Sequence, residues 1–174
     1  MDDRGVVEAQ IGRPPRSLID VAHRCHLDLP VVITVPPLLD DGTPVPPLYW
    51  LTCPLASKRI GRIEAAGGVR AAEQMLADDP EVRHAHEEAM DRYGESRDAQ
   101  IPASYQGHRP TGGVGGARAG VKCLHAHYAD TAAGNTNPIG AWTAEEIEPL
   151  DCTTTCVAFT EGSWSRNPAW SEPR

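Results

Sequence analysis

The sequence predicts an α+β fold: a small antiparallel sheet packed against three or four helices, followed by a disordered C-terminal tail. Three observations predict it. Three short runs, "LIDVAHRC", "LPVVITVP" and "LYWLT", lie within the first 52 residues and carry alternating or β-branched side chains. Helix-opening signatures then recur from Cys53 onward, with Pro54 and Pro80 each placed directly after a capping residue. Beyond Asp151 the composition turns to Thr, Ser, Trp and Pro. Residues 1–150 are therefore read as one domain and residues 151–174 as a low-order tail.

In chain order, residues 1–17 read as an arm or short helix leading into the "GRPPR" turn. Leu18–Cys25 alternates as a strand, with Val21, His23 and Cys25 on one face. Leu29–Pro36 is the clearest strand. "PLLDDGTPVPP" is a wide turn rather than a two-residue hairpin, and Leu48–Thr52 is the returning strand.

Cys53 then takes the N-cap of a helix that Pro54 opens and Gly67–Gly68 ends. Val69–Ala77 makes a second helix. Asp79–Pro80 opens a third, to about Tyr93, with Val82, His86, Ala89 and Tyr93 on one stripe. Gly94–Gly120 has no period and dense glycine, and reads as a mobile loop. Val121–Gly134 resumes as helix, "NTNPIG" is a turn, and Thr143 with Glu146 forms a capping box for a last short helix.

Composition narrows the function. The 174 residues carry a net charge of -8, which argues against nucleic acid or an anionic membrane as partner and leaves an unidentified protein partner as the macromolecular class. Oligomeric state is open. The N-terminus has early acids and no apolar signal region, so the expected location is the cytoplasm, where the five cysteines stay reduced. With aromatics at 5% and a single phenylalanine, Phe159, the core must be aliphatic.

Cysteine and histidine cluster at "AHRCH" (His23, Cys25, His26), "TCP" (Cys53), "KCLHAH" (Cys123, His125, His127) and "CTTTC" (Cys152, Cys156). A zinc site needs four sulfur, nitrogen or oxygen ligands at tetrahedral corners, which Cys25, Cys53, Cys123 and one histidine supply by type. No Cys-x-x-Cys pair is present. On a continuous helix Cys123, His127 and Asp130 share a face. A helix that begins only at Leu124 would instead pair Cys123 with His125. A thiol at a helix N-terminus feels the unpaired amides and the dipole, so an enzyme is the second reading: Cys53 as nucleophile or a water on an open zinc position, with His125 or His127 as base and Lys122 or Arg118 holding a small anionic substrate. "GGARAGVK" fails the phosphate-loop pattern, because no Ser or Thr follows Lys122. Cys152 and Cys156, four apart, form a candidate metal clip or disulfide. Free thiols buried as small apolar groups in a metal-free scaffold are the third reading.

"EAQIGRPPR", "VAHRC", "DDGTPVPPLYWLTCP", "RIEAAGG", "GVKCLHAH" and "NPIG" stand in the order found in the actinobacterial DUF501 family, a domain of unknown function, which the chain resembles over about Val6 to Glu148. The resemblance implies a pattern that includes His23, Cys25, Cys53, Cys123 and His125. It also implies a housekeeping or cell-division setting, since genes of that family neighbour those for enolase, a septum-formation initiator and an exopolyphosphatase. It supplies no reaction. The expectation is a zinc ion among Cys25, Cys53, Cys123 and His125, with His23 as an additional or substitute ligand, in a structural or interaction role.

Overall fold

A computed structural model describes residues 2–173. It has six helices and two small antiparallel sheets: α1 (Asp3–Ile11), β1 (Asp20–Arg24), β2 (Pro30–Thr34), β3 (Tyr49–Leu51), α2 (Pro54–Ala65), α3 (Gly68–Asp78), α4 (Pro80–Asp98), α5 (Leu124–Ala132), α6 (Pro138–Ile147), β4 (Val157–Thr160) and β5 (Ser163–Arg166). The α+β class stands as predicted, with more helices than expected. None of the helices is long and apolar enough to cross a membrane.

The first sheet has the order β1-β2-β3. Val31, Val32 and Ile33 of the middle strand are all buried, because helices cover one face and α1 approaches the other. Strand β1 is bulged: Val21 pairs with Ile33 and His23 with Val32, so Ala22 is an extra residue. That bulge breaks the alternation expected for Val21, His23 and Cys25. The main core joins Val31, Val32 and Leu51 to Leu55, Ile60, Leu124, Tyr128, Ile139 and Ile147, an aliphatic core with Tyr128 at its centre.

Asp79 caps α4 by accepting from the amides of Glu81 and Val82, and Pro80 fills the first helical position. The helix runs five residues past Tyr93, to Asp98. Helix α6 uses the same device: Asn137 accepts from Gly140 N at 3.0 Å and Pro138 follows it. The expected cap, Thr143, lies inside α6 with its hydroxyl donating to Ile139 O at 2.7 Å. Gly140 permits the close packing of α5 on α6, since a Cβ there would collide with the His127 carbonyl and the Thr131 hydroxyl.

Two segments expected to be loose are packed. In the glycine-rich stretch, Ile101, Val114 and Ala117 are buried, a 3-10 turn forms at Val114–Gly116, and buried Arg97 donates to Gly112 O. Beyond Asp151, β4 and β5 form a hairpin turned by Glu161 and Gly162, both at positive φ, as a two-residue turn requires. Trp164 of β5 lies against Gly5 of α1, Arg166 donates to Gln10 O, and Arg62 of α2 pairs with Glu172. The tail is held by these contacts to α1 and α2, among them Trp164 on Gly5, Arg166 on Gln10 O and Glu172 on Arg62.

Tyr93 links α4 to the sheet, its hydroxyl accepting from the buried Leu48 N at 2.6 Å. Tyr93→Phe leaves that amide without an acceptor and is expected to cost about 1–3 kcal/mol, measured by urea unfolding followed by tryptophan fluorescence.

Candidate metal centre

Helix α5 begins at Leu124, so Cys123 is its extended N-cap (φ -162°, ψ 126°) and His125 stands in its first turn. Across from them is Glu64, the second-last residue of α2. An anion there opposes the helix dipole and needs a partner. It has two: Leu124 N donates to Glu64 Oε1 at 2.6 Å, and His125 Nδ1 donates to the same oxygen at 3.2 Å. Glu64 thereby serves as the N-terminal cap that the Cys123 side chain does not provide.

One ligand atom from each of Glu64, Cys123 and His125 lies within 4.8 Å of the others. The far nitrogen of the imidazole, Nε2, donates to Ser57 O at 3.2 Å, a backbone contact of the kind that fixes the ring of a metal-binding histidine. Ligands about 2.0–2.1 Å from a tetrahedral zinc stand about 3.3–3.4 Å apart, close to the Nδ1–Oε1 separation. The Cys123 side chain, with the Glu64 charge beside it, raises the His125 imidazole to about 9 against the opposing effect of burial. The side chains of His125 and Glu64 are 30% and 26% exposed, so one side of the group opens to solvent. Lys122, adjacent in the chain, is exposed.

The structure divides the expected ligand set. Cys123 and His125 are together, with Glu64, a residue that the sequence reading did not consider. Its signal was present: an acid in the last turn of a helix, three residues before the closing glycines. Cys25 and Cys53 lie instead at a different cavity, which Cys152 and Cys156 also line. His23 is exposed and borders an open groove with Cys25, His26 and Cys152.

Cys53 does occupy the N-cap of α2 ahead of Pro54, as expected, but it does not gain a thiolate. Burial pushes its thiol up to about 12, outweighing the opposite pull of the Ala56 and Leu55 amides. It is a poor nucleophile for that reason.

His127 is no base for Cys53 or Cys123. It is buried, its Nδ1 stands 3.1 Å from Asn137 Nδ2, and its ring lies 5.3 Å from that of His86. Asn137 Nδ2 also donates to Asp130, a fully buried carboxylate held by both terminal nitrogens of Arg92. Neither nitrogen of His86 and not Nε2 of His127 meets a partner among the described residues. Burial lowers both imidazoles, His127 to about 4. Arg118 is exposed and stands in no ion pair among the described residues.

A family model described as "Protein of unknown function (DUF501)" matches residues 21–145, and the chain belongs to that family. The matched span contains Glu64, Cys123 and His125, and it ends before Cys152 and Cys156. No curated protein and no solved structure matches.

The histidine pair sets an acid limit on stability. A folded pKa near 4 for His127, below its unfolded value, gives stability that is complete above about pH 6.5 and is lost as pH falls through 4, on the order of 3 kcal/mol. His86→Leu, which removes two unpartnered nitrogens and one of the two buried imidazoles, is expected to lessen the acid loss by the part His86 carries while the part set by His127's burial remains, with no loss of stability at pH 7, as read by urea titrations at pH 7 and pH 4.5.

Proposed function

We propose that this member of the DUF501 family is a cytosolic zinc-binding domain, with the ion held by Glu64, Cys123 and His125. The observation that carries the reading is the meeting of a thiol, an imidazole and a carboxylate within 4.8 Å, with the second imidazole nitrogen already bonded to Ser57 O. A mixed sulfur, nitrogen and oxygen set suits zinc better than the hard cations, which take oxygen. The ion would fasten the end of α2 to the start of α5, a structural role on the order of 10 kcal/mol. With three protein ligands, the fourth corner faces solvent and is available to a water or to a donor atom of a protein partner. Binding displaces protons from Cys123 and His125, so affinity falls as pH is lowered.

A second reading rests on the raised His125. Glu64, His125 and Cys123 also bring an orienting acid, an imidazole and a thiol nucleophile together within 4.8 Å. Lys122 would then draw an anionic substrate toward the site.

Zinc titration of chelator-treated protein, with alkylation of Cys123 followed by mass spectrometry, separates the two. The zinc reading expects Cys123 to be protected by zinc and freed by chelator. It also expects Cys123→Ser, His125→Ala and Glu64→Gln each to weaken zinc at this site by about 100-fold or more. A Cys123 that alkylates rapidly at neutral pH, at the same rate with and without zinc, overturns it and leaves the thiol enzyme.

A further inference from the structure

Four of the five cysteines belong to neither reading. Cys25 follows the end of β1, Cys53 caps α2, and Cys152 and Cys156 lie in the segment ahead of β4; all four line one cavity. We propose that Cys25, Cys53, Cys152 and Cys156 form a second metal site, a four-thiolate centre for zinc that fastens the C-terminal segment to the sheet and to α2.

The cavity fits an ion and little else. Its volume is about 10 Å³, near the minimum for one water, and Leu27, Leu29, Pro30, Pro54, Leu55 and Leu150 supply most of its remaining wall. An organic ligand has no room there, and a lone water would find mostly sulfur and hydrocarbon.

N–H donors converge on the sulfurs from outside the cluster. Gln10 is 2% exposed and directs Nε2 at Cys156 Sγ, 3.6 Å away, while its Oε1 has no partner among the described residues. Trp170 Nε1 donates to Cys152 Sγ at 3.3 Å. Donors of this kind hold metal-bound thiolates in place and offset part of their charge. Four thiolates in one apolar pocket would otherwise repel one another without water to solvate them, and a dication supplies the missing charge.

The Cys25 turn is also braced against the Cys152 segment. Cys25 N donates to Leu29 O and Asp28 N to Cys25 O, closing a tight turn, while His26 Nε2 donates to Cys152 O at 2.9 Å. No three of the sulfurs lie mutually within 4.8 Å among the described residues, so binding must draw them to the spacing of about 3.8 Å that a tetrahedral four-sulfur zinc site has. On binding, each thiol releases its proton to solvent and donates a sulfur lone pair to the ion. No electron is transferred.

The test uses the full chain in reducing buffer, with zinc and then cobalt(II) as the only added ligands. Metal analysis is expected to find an equivalent that is lost in Cys152→Ser/Cys156→Ser and kept in Cys123→Ser. The cobalt-loaded protein is expected to show thiolate-to-cobalt charge transfer that the double variant loses and Cys123→Ser retains. Alkylation of the wild type covers the case in which the double variant does not fold: zinc is expected to slow modification of Cys25, Cys53, Cys152 and Cys156 together by at least about tenfold, reversibly with chelator. Metal content unchanged in a folded double variant overturns the proposal. So does alkylation of Cys152 and Cys156 at equal rates with and without zinc, or a disulfide joining any two of the four in the zinc-loaded, reduced protein.

Discussion

Helix α2 fixes where thiol chemistry can occur in this chain. Its 12 residues make a rod about 18 Å long. Cys53 sits at one end and Glu64 near the other, so Cys123, which lies beside Glu64, cannot share an ion with Cys53. A single cluster of Cys25, Cys53, Cys123 and His125 is excluded by the length of one helix. The same rod gives each end a distinct environment: an apolar cavity at the N-terminus, and a half-exposed carboxylate with a histidine at the C-terminus.

The two ends illustrate competing terms in one currency, the cost of separating charge from water. At Cys53 the helix terminus offers amides and a favourable dipole, yet desolvation dominates and the thiol stays protonated. At Glu64 the dipole is adverse, yet two N–H donors and partial exposure keep the carboxylate in place. Arg59 then closes the structure around the rod, donating to Ile147 O, Pro149 O and Asp151 and tying α2 to the chain beyond α6.

Much of the fold was legible in the sequence because its signals are local. Pro54 and Pro80 follow N-cap residues and open helices where expected, the β-branched run became the buried middle strand, and six ordered motifs pointed to the family. Asn137–Pro138 carried the same signature as Asp79–Pro80, but Thr143 and Glu146 offered a competing cap a few residues on. The hairpin after Asp151 was hidden because its stability is tertiary: Trp164 against Gly5 and Arg166 on Gln10 join residues far apart in sequence. The candidate site was half legible. Cys123 with His125 followed from where α5 starts, whereas Glu64 came from a different helix, and the grouping of Cys25 and Cys53 with Cys152 and Cys156 depended on the fold of the tail.

That last dependence has a consequence for how the polypeptide emerges from the ribosome. Cys25 and Cys53 are made early, but the residues that enclose them, Cys152, Cys156 and Trp170, come roughly a hundred positions later. At translation speeds of about 5–20 residues per second the nascent chain shows both sulfurs to its surroundings for roughly 5–20 s. Vectorial synthesis thus leaves the N-terminal half of this pocket unguarded until the final strands are out.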